Sequence, residues 1–162
     1  MKASRTEAGA SPAFDRDDAK NFFWLLALIL AFFWQMVFMD RLPFFRDMST
    51  QFYPWLKFMK DSFAAGEVPL WNPWSGSGMP FAANHQSAVF YPPKMILTAF
   101  SVPVAIRIYI IMHFWLAACG TYLLARHMGQ GRRASFVAAS VFAFGGYLVT
   151  RVEFMSVLGS AA

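Results

Sequence analysis

Residues 104–125 read VAIRIYIIMHFWLAACGTYLLA. The run reaches the ~20 residues a helix needs to cross ~30 Å of hydrocarbon, and its only full charge is Arg107, near its start. A helix satisfies its own backbone where water is absent, so the run predicts a membrane-spanning helix. Composition agrees: of 162 residues, 57% are hydrophobic, 19% aromatic and only 14% charged, far more apolar than an ordinary soluble domain.

Outward from this run lie two more. Asn21–Met39 is aliphatic and aromatic on all sides, and Ala134–Thr150 is shorter and richer in glycine. Small residues at Ala138, Ala139, Ser140, Ala143, Gly145 and Gly146 suit close helix approach. The expectation is an all-α, polytopic bundle of three transmembrane helices: 21–39, 101–125 and 134–150. A tail would occupy 1–20, and a short turn 126–133. The apolar run that starts at Phe154 stops at Ala162, so 151–162 reads as the start of something longer.

A net charge of +5 in a soluble chain would suggest nucleic acid, but here basic residues bracket the apolar runs. Lys20 precedes the first, and Arg126, Arg132 and Arg133 fill the gap between the second and third. Short Lys/Arg-rich segments stay cytoplasmic. That places the N-terminus and the 126–133 turn inside, the 40–100 loop outside, and no nucleic acid among the partners. No small-residue cleavage site follows the first run, which reads as an uncleaved anchor. The single cysteine, Cys119, excludes a disulfide framework.

The outer loop holds the chemistry. From Arg46 to Pro93 it reads RDMSTQFYPWLKFMKDSFAAGEVPLWNPWSGSGMPFAANHQSAVFYPP. Tyr53, Trp55, Trp71, Trp74 and Tyr91 favour a membrane–water interface. Phe52, Trp55, Leu56, Met59 and Phe63 recur at helical spacing, predicting an amphipathic helix over about 50–65 whose apolar face meets either the outer leaflet or protein. Ser49 and Thr50 are candidate N-caps. Trp71 and Trp74 could stack on a sugar ring, and Asn84 and His85 could bind its hydroxyls or loop carbonyls. Trp71-Asn72-Pro73 and Gly76-Ser77-Gly78 also suit a rigid turn. Arg107 either snorkels to headgroups or meets an anionic ligand. His113, an intramembrane imidazole, either serves a ligand or bonds a neighbouring helix. No metal-ligand spacing is present, so no cofactor is expected and a divalent cation has no support.

The series Asp47, Gln51-Phe52-Tyr53-Pro54, Pro69-Leu70-Trp71-Asn72-Pro73, Gly76-Ser77-Gly78-Met79-Pro80, Ala83-Asn84-His85-Gln86 and Phe90-Tyr91-Pro92-Pro93 resembles the YfhO-like bacterial membrane proteins. Phe142-Ala143-Phe144-Gly145-Gly146-Tyr147 extends the likeness. That family is similar to the GT-C glycosyltransferases, multi-pass proteins of the bacterial cytoplasmic membrane. The resemblance implies transfer of a sugar from a polyprenyl-phosphate carrier to a cell-envelope acceptor on the outer face. It also implies that this chain is the N-terminal part of a longer enzyme, inactive alone, with its remaining helices and the bilayer as partners. By position it makes Asp47 the catalytic base, with Asp40 second. Arg46, Gln51, Tyr53, Trp71, Asn72, Asn84, His85 and Arg107 are the candidate substrate contacts. The alternative is a small non-enzymatic accessory subunit, in which Arg107 and His113 would pair with groups on a larger partner.

Overall fold

An acidic cap starts the first helix, and the same acids tie the helix ends together. In the computed structural model, which describes residues 15–162, the Asp15 carboxylate accepts from the N–H groups of Asp17 and Asp18. Asp18 returns the favour by accepting from the Asp15 N–H. This reciprocal capping box opens α1 (Arg16–Phe32) inside the stretch expected to be a tail. Residues 1–14 of that tail lie outside the described residues.

The first apolar run is not one helix. It breaks at Phe33 (φ −94°, ψ 25°) and resumes as α2 (Trp34–Phe38). Among the described residues two segments are long and apolar enough to cross a membrane: α5 (Val102–His127), and Arg132–Thr150, which comprises α6 (Arg132–Ala143) and α7 (Gly146–Thr150). Pro103 sits in the first turn of α5 rather than breaking it, because a missing N–H costs nothing there. Between α6 and α7 the chain kinks at Phe144-Gly145, where a Cβ on Gly145 would lie 3.0 Å from the Val141 carbonyl oxygen. The terminal α8 (Met155–Ala161) packs back on α5.

The core forms where α1, α5 and α6 meet. Leu25 and Ile29, Ile106, Ile110 and Phe114, and Ala139 and Ala143 are almost fully enclosed. Ala117 and Ala118 on α5, with the two alanines of α6, permit the close approach of these helices. The Trp115 Nε1–H donates to the Phe22 carbonyl at 3.1 Å, a further tie between α5 and α1.

At one end of this core lies the buried Asp18 carboxylate, 1% exposed. It accepts the Tyr122 hydroxyl at 2.6 Å and forms ion pairs with Arg126, whose Nε lies at 3.2 Å, and Arg132, whose Nε lies at 3.7 Å. Arg132 also pairs with Asp15, and the Asn21 amide donates to the Tyr122 hydroxyl at 3.0 Å. Burial pushes the Asp18 carboxyl up, but the Tyr122 hydroxyl, the Asp15 N–H and both guanidinium groups outweigh it and hold the group below its usual range.

The long loop is packed against protein. A π-turn over Met48–Phe52 runs into α3 (Tyr53–Ala64), with Pro54 in the first turn. Met48, Phe52 and Leu56 enter the main core, and Trp55 and Met59 form a second cluster with Phe81 and Val89. The apolar face of α3 therefore meets protein, and Leu70, Trp71, Trp74 and Phe90 are the apolar side chains that the loop leaves exposed. Ser49 and Thr50 are not caps: their hydroxyls donate back to the Arg46 carbonyl. Beyond α3, β1 (Trp71–Asn72) pairs antiparallel with β2 (Met79–Pro80), the one strand pair among the described residues. Gly78 (φ +96°) permits this turn, since a Cβ there would lie 2.6 Å from the Trp71 ring. The end of the loop, ahead of α5, includes a separate helix, α4 (Pro92–Leu97).

Breaking one partner out of a buried charge pair costs ~3 kcal/mol or more. Asp18→Ala should therefore lower stability by about 3 kcal/mol, read from the unfolding midpoint in mixed detergent micelles. Because the carboxyl is held low in the native state, its contribution is present above about pH 4 and fades as pH falls through that lower native value. An unchanged midpoint at neutral pH would contradict the role of Asp18.

Candidate functional site

The opposite end of α5 lies roughly 30 Å away, at 1.5 Å per residue from Arg126 back to Arg107. Here the segment 40–46 joins α2 to the turn at Met48–Phe52, and both its ends take left-handed backbone: Asp40 at φ 58° and Arg46 at φ 46°. Non-glycine residues rarely adopt this conformation and need surrounding contacts to hold it. Each end has such a contact. The Asp40 carboxylate pairs with Arg107, whose side chain is 17% exposed. Arg46 reaches the Glu153 carboxylate at 3.5 Å, and Glu153 is 2% exposed.

The candidate base Asp47 follows directly. It is half-buried, and its carboxylate makes no cap, hydrogen bond or ion pair among the described residues. A structural role as a cap or as a partner of Arg46 or Arg41 is therefore not what the fold uses it for. The second choice, Asp40, is exposed and pairs with Arg107 through Oδ1. Among the two arginines, Arg107 is committed to Asp40, whereas Arg46 is exposed and only loosely held. Two buried polar atoms at this end lack a partner, Arg107 Nε and Glu153 Oε2.

A cleft of about 480 Å³ opens between the 85–91 turn, α5 and α8. His85, Gln86, Tyr91, Tyr109, Ser156 and Ser160 line it. His113 lies behind. Its Nδ1 is 2.7 Å from the Tyr109 carbonyl, an atom that only accepts, so Nδ1 carries the proton. Nε2 is then the acceptor for the Tyr91 hydroxyl at 2.9 Å. The imidazole stacks on Tyr109 with ring centres 3.9 Å apart, and the Tyr109 hydroxyl donates to the Met155 carbonyl at 2.9 Å. His113 thus joins the loop to its helix.

The remaining sequence candidates divide. Gln51 donates its amide to the Gln86 side chain at 2.8 Å, which ties the π-turn to the cleft. Tyr53 packs edge-on against Phe44. Asn72 is buried and closes its own turn, accepting from the Trp74 N–H and donating to Ser75. Asn84 does the same, accepting from the Gln86 N–H. Trp71 covers Gly78. These three residues shape the loop, and of the hairpin's polar groups none enters the cleft. Sequence reasoning missed Glu153, Tyr91 and Tyr109 as site members. Glu153 and Tyr109 lie in no motif, and although Tyr91 falls in the Phe90-Tyr91-Pro92-Pro93 series, only the pairing of distant segments brings the three to the site. Among the described residues no group of three or more His, Cys, Asp or Glu stands ready for a metal.

No family model, curated protein or solved structure matches the chain.

Lys94 fixes the turn that bounds the cleft. Its ammonium, 1% exposed, donates to the Ser87 carbonyl at 2.6 Å, while the Ser87 hydroxyl bonds Phe81 and Asn84. Burial pulls its pKa from 10.5 to about 8. For a base lowered on folding, the unfolded chain binds more protons between these values, so stability rises with pH there. The charged form costs on the order of 3 kcal/mol, constant below about pH 8 and relieved as pH approaches 10. The unfolding midpoint of the native chain should climb between pH 8 and 10 relative to Lys94→Met, and parallel pH profiles would contradict this.

Proposed function

We propose that this chain is the N-terminal part of an integral-membrane glycosyltransferase of the GT-C type, related to the YfhO-like proteins, that moves a sugar from a polyprenyl-phosphate donor to a cell-envelope acceptor on the outer face. In this reading α1–α2, α5 and α6–α7 are the three spans. The Asp18 end faces the cytoplasm of a bacterial cell, and the 40–100 loop lies outside.

The observation that carries the proposal is the free carboxylate of Asp47 beside carboxylates that are paired. Asp40 holds Arg107, Glu153 holds Arg46 and Asp61 holds Lys57 at 2.6 Å. A carboxylate kept without a partner is available to accept a proton. As the acceptor hydroxyl bonds to the anomeric carbon, its proton passes to Asp47. The sugar–phosphate bond breaks, and the electron pair leaves on the phosphate oxygen. A forked guanidinium suits that departing charge. Arg46, adjacent in the chain and weakly held by Glu153, is the better placed of the two arginines to turn to it. The accessory-subunit alternative asks Arg107 and His113 to meet groups on a partner, whereas Arg107 pairs with Asp40 and both ring nitrogens of His113 are bonded within the chain.

General-base catalysis contributes roughly 10²–10⁴ in rate. In membranes carrying the longest natural form of the protein, Asp47→Asn should reduce transfer of radiolabelled sugar from the polyprenyl-phosphate donor by about 100-fold or more, with Asp40→Asn affecting it far less. Wild-type transfer by Asp47→Asn would sink the assignment.

A further inference from the structure

The cleft between the 85–91 turn, α5 and α8 has a distinctive chemistry. Its lining contains aromatic rings, an amide, hydroxyls and an imidazole, and no lysine, arginine, aspartate or glutamate. About 480 Å³ is within the range of small-molecule sites. Hydrogen bonds inside the protein decide what the lining can offer.

Gln86 accepts from the Gln51 amide through Oε1, so its own NH₂ group keeps both protons for a ligand. Tyr91 gives its only proton to His113, so its oxygen keeps lone pairs for a ligand donor. The locked tautomer of His113 fixes that direction, since Nδ1–H is held by the Tyr109 carbonyl. The wall opposite is held equally firmly. Gly159 lines the cleft, and a Cβ there would lie 2.6 Å from the Tyr109 hydroxyl and 3.8 Å from His113 Nε2. The turn itself is held in an uncommon conformation, with Ala88 at φ 47°. One fixed donor and one fixed acceptor, with aromatic rings and neither carboxylate nor lysine nor arginine in the lining, match a ring bearing several hydroxyls; an anion would find no ammonium or guanidinium here.

We propose that this cleft is a binding site for a neutral polyhydroxylated ring, the chemistry of a sugar, with Tyr91 accepting from one hydroxyl and Gln86 donating to another. The assignment deepens the glycosyl-transfer reading and rests on it for why a sugar reaches this face. The recognition chemistry comes from the lining alone.

The test uses the chain in lipid nanodiscs, free of sugar-based detergent, and saturation-transfer NMR. The probes are the methyl glycosides of glucose, galactose, mannose and N-acetylglucosamine, with methyl phosphate as the charged comparator. At least one glycoside should receive magnetisation and methyl phosphate none. Tyr91→Phe and Gln86→Leu should each weaken binding about fivefold or more, as expected when one hydrogen bond is left unmade. If Tyr91→Phe fails to fold, Gln86→Leu on the half-buried turn carries the test alone. No transfer to any glycoside, equal binding by folded variants, or displacement by methyl phosphate would overturn the assignment. Glycoside binding together with wild-type sugar transfer by Asp47→Asn would instead remove only the proposed base and leave this site standing.

Discussion

One buried carboxylate sets the architecture. Asp18 is surrounded by the hydroxyl of Tyr122 and the guanidinium groups of Arg126 and Arg132, which brings the start of α1, the end of α5 and the start of α6 to one level. A charge in this position is costly unless its partners are in place, so the helices cannot slide past one another without exposing it to an apolar core. The alanine-rich contact between α5 and α6 fixes how closely they approach, and the Asp18 cluster fixes their register.

With that end pinned, the other end inherits its geometry. Arg107 meets Asp40 and Arg46 meets Glu153 because α5 and the α7–α8 turn arrive there in fixed register. The two pairs hold the left-handed residues at either end of the 40–46 segment, and the chain leaves that segment directly into Asp47. The π-turn and α3 then bury Met48, Phe52 and Leu56 in the same core that the helices built. The loop is therefore an extension of the bundle. Its polar groups are divided between those that close turns, such as Asn72 and Asn84, and those left facing outward or into the cleft, such as His85 and Gln86.

Much of this was legible in the residues. The apolar runs, the helix over about 50–65 and the turn at Gly76-Ser77-Gly78 follow from period, length and glycine placement, which are local signals. The errors came from tertiary contacts. The acidic residues Asp15 to Asp18 looked like a solvated tail because their partners, Tyr122, Arg126 and Arg132, lie a hundred positions away. The break at Phe33 carries no proline or glycine to announce it. For α3, spacing showed an apolar face but not what covers it. In the site, Asp47 stood out from its motif, but whether it was free or capped depended on where Arg46 turned, and that depended on Glu153. Tyr91, Tyr109 and His113 meet only because α5 passes beneath the loop.

The central claim is that the 40–100 loop faces the outside of the cell, where a lipid-borne sugar would meet Asp47. Trp74, 84% exposed at the tip of the hairpin turn, is the position from which to read it. In a Cys119→Ala background expressed in a bacterial host, Trp74→Cys should react with a membrane-impermeant maleimide added to intact cells, while Gln130→Cys in the α5–α6 turn should react only after the membrane is opened. Labelling of Gln130→Cys in intact cells with Trp74→Cys protected would invert the topology and leave the proposed chemistry on the wrong side of the membrane.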